Sequence, residues 1–138
     1  MILLDTHVWV WWVQGDSRLS AGALESLDAR TKDGLGVSVI SCWEVAMLHE
    51  RNRLVLPVSL DEWIELALGY PGVQLIAVTP AIAIDSCRLP NWQHKDPADR
   101  LIVATGRALA CPVLTADAVL LDYAPANAID PEALPSLT

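Results

Sequence analysis

Asp5, Glu44, Asp99 and Asp117 are the residues of this 138-residue chain whose types and settings are suited to chemistry. Asp5 closes the apolar run 2–4, and Glu44 falls in the first helical turn after the run 37–40. Asp117 follows the run 112–115, and Asp99 opens the helix that feeds that run, with Asp96 one turn earlier on the same face. In open α/β sheets the ligand crevice lies beyond the carboxyl ends of the strands, so the four acids are predicted at one level. At about 4 Å and an effective dielectric near 20, one such pair of charges costs roughly 4 kcal/mol. A hard divalent cation is the natural counter-charge, and an all-oxygen donor set suits Mg²⁺ or Mn²⁺ rather than zinc or copper. Such a centre polarises a phosphoryl oxygen, activates water and stabilises a leaving oxyanion. That is metal-assisted hydrolysis of a phosphodiester.

Each acid has a plainer role open to it. Ser41 and Glu44 have capping-box spacing, and Asp96 before Pro97 reads as a helix N-cap followed by its first residue. Asp117 suits a turn, and Asp5 suits an Asx turn at a strand end. Capping and metal binding are compatible, and four such roles meeting at one sheet edge favour a site. The histidines carry less weight. His49 is followed by Glu50, but position 53 is Arg53, so the H-E-x-x-H zinc motif fails. His7 and His94 stand alone and read as packing or surface groups. Gly34 and Gly36 imitate a dinucleotide fingerprint, but Val39 occupies the third glycine position and a strand follows.

The elements that must position the acids alternate. A strand at 2–4 leads to a helix capped by Thr6 and ending near Gly15, and Ser20 starts a second helix over 21–32. A strand at 37–40 precedes a helix capped by Ser41 and running to about Arg53. Ser59 and Glu62 open a helix over 61–68, a strand follows at 74–78, and a short helix over 81–88. A loop at 90–95 leads to the helix from Pro97 to about Ala110, then strands at 112–115 and 126–129 and an irregular tail. Short apolar strands alternating with helices predict an α/β three-layer sandwich around a central parallel sheet. The length suits one domain spanning 1–138.

Composition narrows the class. Apolar residues make up 53% and charged residues 19%, which excludes intrinsic disorder. A net charge of -8 leaves no basic patch for coating duplex nucleic acid, though carboxylates can draw nucleic acid in through metal ions. Cys42, Cys87 and Cys111 make an odd count without C-x-x-C spacing, so free thiols in a reducing compartment are expected. No signal peptide or transmembrane run is read from the sequence, and a cytoplasmic location is expected.

Three segments carry a resemblance: LLDTHVWVWW at the amino end, SVISCWEVAML around Glu44, and HKDPADRLIVATGRALACPVLTAD from His94 to Asp117. Together they resemble PIN-domain ribonucleases, and among these the VapC-type toxins of prokaryotic toxin–antitoxin pairs. The resemblance is loose across 61–88. It implies that Asp5 and Asp99 are the main metal ligands and that Glu44 and Asp117 complete the pocket, directly or through water. It places Thr6, Ser41 and Thr115 beside those acids as holders of ligands or waters. Asp96 is an auxiliary candidate, and Arg100 would pair with a phosphate or with Asp96.

The resemblance also implies partners: RNA as substrate, a second copy of the chain, and a VapB-like antitoxin with a basic segment entering the acidic site. Trp9, Trp11 and Trp12 cover more than one helix face, which fits either a wholly buried helix or a surface taken up by a partner. Two other functions compete with the Mg²⁺/Mn²⁺-dependent endoribonuclease toxin. A non-catalytic PIN-like module would hold a partner only. A haloacid-dehalogenase-like phosphatase would use Asp5 as nucleophile, but wants a second acid where His7 stands.

Overall fold

The computed structural model describes residues 1–137. Its strands are β1 (Ile2–Leu4), β2 (Leu35–Ser38), β3 (Val73–Ile76), β4 (Val113–Leu114) and β5 (Ala128–Ile129). All pairings are parallel, in the order β3-β2-β1-β4-β5. The helices are α1 (Thr6–Gln14), α2 (Ala21–Ala29), α3 (Val39–Glu50), α4 (Leu60–Leu68), α5 (Pro80–Ser86), α6 (Pro97–Leu109) and α7 (Ala118–Asp122). The chain steps outward from β1 through β2 to β3, then returns to the other side of β1 for β4 and β5. Strand order therefore reverses beside β1, and a crevice opens past the carboxyl ends of β1 and β4.

The central strands β1 and β4 are wholly apolar and buried because helices cover both faces of the sheet there, whereas the edge strand β3 carries Gln74 and stays partly exposed. Along β1 the pleat sends Ile2 and Leu4 to one core, with Trp9, Leu27, Val45 and Trp63. Leu3 goes to the other, with Ile82, Ile102, Val103 and Leu120. Each such side chain, fully buried, contributes about 1.5–3 kcal/mol of transfer free energy. Helix α6 lies close on β4: a Cβ on Gly106 would come within 2.9 Å of Val113 Cγ2. Of the tryptophans in α1, only Trp9 is fully buried, its ring edge-on to Trp63 at 5.0 Å. Of the two readings open for these tryptophans, a wholly buried helix does not hold, because Trp11 and Trp12 are only partly buried against the core.

Other local expectations also shift. Helix α1 is capped by Asp5, whose carboxylate accepts from the Thr6 amide, and not by Thr6. Helix α3 is capped by Ser38, whose hydroxyl accepts from the Ile40 amide, so Ser41 lies inside the helix and the capping box with Glu44 does not form. Residues 39 and 40, read as strand for their β-branched side chains, are the first turn of α3, while Leu35 and Gly36 pair with β1 and β3 instead. The tail is a 3₁₀ segment, Pro131–Leu137, that buries Leu134. No helix among the described residues is long and apolar enough to cross a membrane.

Candidate active site

Asp5 is delivered by β1 and stays only 3% exposed. Its Oδ1 accepts from the Thr6 amide at 2.8 Å, and its Oδ2 accepts from the Thr115 hydroxyl at 2.7 Å. The same Thr115 oxygen accepts the Asp117 amide at 3.0 Å, so one hydroxyl from the end of β4 ties two acids together. Asp117 in turn caps α7, its Oδ1 accepting from the Val119 amide at 2.8 Å. Capping and placement at the crevice coincide here.

Glu44 projects from the second turn of α3, not from the first turn that the sequence implied. Beyond the reach of the helix N-terminal dipole, it relies on Thr6, whose hydroxyl donates to Glu44 Oε1 at 2.6 Å. The hydroxyls of Thr6 and buried Ser41 meet at 2.8 Å. Asp99 sits in the first turn of α6, at the positive end of the helix, and is 8% exposed. Asp96 caps that helix through Oδ1, which accepts the Ala98 amide at 2.9 Å and the Asp99 amide at 3.3 Å.

Asp5, Glu44, Asp96, Asp99 and Asp117 line one cavity of about 800 Å³. Among the described residues, no lysine or arginine forms an ion pair with any of these five. Arg18 and Arg53 also line the cavity, and Arg18 is engaged with Asp16 at 2.9 Å and stacked over Trp11 at 5.1 Å. Burial, and then the charges of Asp5, Asp96, Asp117 and Glu44, push the Asp99 carboxyl up to about 8. Burial also raises Glu44, opposed by the Thr6 hydrogen bond and reinforced by Asp5 and Asp96. A carboxyl kept protonated by burial and then by its acidic neighbours is a group that an added cation would ionise. The donors are hard oxygens, and the residues present fit Mg²⁺ or Mn²⁺.

Arg100 does not line the cavity, and no ion pair joins it to Asp96 among the described residues. Two histidines set aside as lone groups border the site instead. His94 Nε2 lies 3.0 Å from Asp99 Oδ2. His7 Nε2 accepts the Ala116 amide at 3.0 Å, so in the neutral ring the proton sits on Nδ1, which faces Asp5 Oδ2 at 3.6 Å. The signal was their position: His7 stands two residues after Asp5, and His94 five before Asp99. No zinc-type spacing marked either.

A PIN domain family model matches residues 2–125. Ribonuclease VapC22 of Mycobacterium tuberculosis (strain ATCC 25618 / H37Rv) is 36% identical over 104 residues, covering 75% of this chain and 77% of its own. Among solved structures, a toxin-antitoxin complex from Klebsiella pneumoniae superposes with a TM-score of 0.66 at 18% identity, over 95% of this chain and 98% of the other. VapBC2 from Rickettsia felis, bound to a DNA fragment from its promoter, gives 0.68 at 13% identity, over 94% and 98%. FitAcB from Neisseria gonorrhoeae gives 0.66 at 20% identity, over 96% and 99%. At these identities the structural likeness carries the fold alone.

Proposed function

Because the chain belongs to the PIN-domain family, with a VapC-type relative among its matches, we propose that it is a Mg²⁺- or Mn²⁺-dependent endoribonuclease acting as the toxin of a toxin–antitoxin pair. The observation that carries this reading is the convergence of Asp5, Glu44, Asp99 and Asp117 on one cavity, with no arginine or lysine ion pair among the described residues to offset them. Asp5 and Asp99 are the main ligands, and Glu44 and Asp117 complete the set directly or through water. When bound there, a divalent cation would polarise the phosphoryl oxygen and lower the pKa of the attacking water. Thr6 and Thr115 fix the carboxylates by the hydrogen bonds described, and Ser41 holds the Thr6 hydroxyl. Thr6 occupies Glu44 Oε1, which leaves Oε2 to accept a proton from the attacking water, and the raised pKa of Glu44 suits that task.

The same acidic cavity is suited to a basic antitoxin segment, whose cations would compete with metal and substrate. A VapB-like antitoxin, a homodimer and a cytoplasmic setting complete the proposal. Membership of the PIN family sets aside the phosphatase alternative. A non-catalytic module is separated by incubating the pure protein with mixed RNA. Cleavage with Mg²⁺ or Mn²⁺, abolished by EDTA and by Asp5→Asn, supports the nuclease. Intact RNA under every metal condition, from folded protein, leaves a binding module.

A further inference from the structure

The histidine beside Asp99 is placed as a ligand would be. The loop before α6 is anchored at both ends of its aromatic run. The Tyr123 hydroxyl donates to the Pro90 carbonyl, and the Trp92 ring lies edge-on between Tyr123, at 4.9 Å, and His94, at 5.9 Å. That ladder sets the imidazole with Nε2 facing the Asp99 carboxylate at 3.0 Å. One ligand atom each from His94, Asp96 and Asp99 fall within 4.8 Å of one another. Around a six-coordinate ion with bonds of about 2.1 Å, adjacent ligands stand about 3.0 Å apart and opposite ligands about 4.2 Å. The His94–Asp99 separation matches an adjacent pair, and the span of the three needs only slight contraction. Asp96 uses Oδ1 on the helix amides, so its second oxygen is available for a ligand bond.

We propose that His94 is a nitrogen ligand to the cation, completing an arc with Asp96 and Asp99 and tilting the centre toward Mn²⁺ over Mg²⁺. This rests on the metal-centre reading above and refines the class of ion it takes. Imidazole is a softer donor than carboxylate or water and adds affinity for first-row transition ions, whereas Mg²⁺ gains little from it. A hydrogen bond from His94 to Asp99 is the competing account. It would position the carboxylate without touching the ion.

Pulsed electron paramagnetic resonance on the metal-free full chain loaded with Mn²⁺ separates the two. The wild type is expected to show ¹⁴N modulation from a directly bound imidazole. His94→Gln should lose that signal and still bind Mn²⁺, whereas His7→Gln should keep it. In parallel titrations, His94→Gln should weaken Mn²⁺ by at least the roughly tenfold that loss of an outer hydrogen-bond partner alone costs, and it is a several-fold smaller loss for Mg²⁺ that marks a direct nitrogen ligand. Bound Mn²⁺ without ¹⁴N modulation in the wild type, or equal weakening of both ions, overturns the His94 ligand and leaves the carboxylate centre standing. Failure of the wild type to bind Mn²⁺ at all overturns the centre itself, and His94 with it.

Discussion

Thr115 and Glu44 divide structural from chemical roles at single side chains. The Thr115 hydroxyl is fully buried, donates to Asp5 and accepts from the Asp117 amide. Thr115→Val keeps the shape and leaves both partners short of a hydrogen bond, so a loss of about 1–3 kcal/mol is expected in denaturant unfolding. Glu44 has no cap to lose, since Ser38 closes the helix. In Glu44→Gln the amide oxygen can still accept from Thr6, while one of several mutually repelling charges disappears. The metal-free variant is expected to melt at or above the wild-type temperature, and to cleave RNA at least about 100-fold more slowly. A variant that melts lower and cleaves normally would assign Glu44 a purely structural role.

Among the elements, α6 shows how packing overrides local preference. Ala exceeds Gly in helix propensity by about 0.8–1.0 kcal/mol. Yet a methyl group at Gly106 would meet Val113 Cγ2 at 2.9 Å and the Cys111 carbonyl at 3.2 Å. Gly106→Ala should therefore destabilise by about 1–3 kcal/mol, read from thermal or urea melts. The start of α6 was legible in the sequence, because Asp96-Pro97 is a local cap signal. The start of α3 was not, because Ser38 and Ser41 both satisfy a local rule and only the pairing of β2 decides between them. Gly36 hid the first half of that strand. Its lack of a side chain reflects the close approach of Leu3, a contact from a different strand. Helix α7 was missed for a similar reason, since five residues after Asp117 carry too short a pattern to register. The acids could be placed because each neighbours a strand end or a helix cap. His94 could not, because the ladder that aims it runs through Tyr123, far along the chain.

At the scale of the whole molecule, the crevice concentrates negative charge in a protein whose net charge is already -8. With the Asp99 carboxyl raised to about 8 from an ordinary value of 3.8, the folded state keeps a proton that the unfolded chain has lost. Stability of the metal-free protein should therefore fall as pH rises from about 4 to about 8, and Asp99→Asn should flatten that slope. Melts in EDTA at several pH values give the sign directly. A metal at about 100 times its Kd should restore roughly 2.7 kcal/mol at neutral pH. The most direct measurement is an anomalous difference map from a crystal soaked in Mn²⁺. An Mn²⁺ peak bound directly by carboxylate oxygens of Asp5 and Asp99, with Glu44 and Asp117 bound directly or through water, is the expected result. A saturating soak that leaves the cavity without a peak, in protein that still cleaves RNA, would contradict the account.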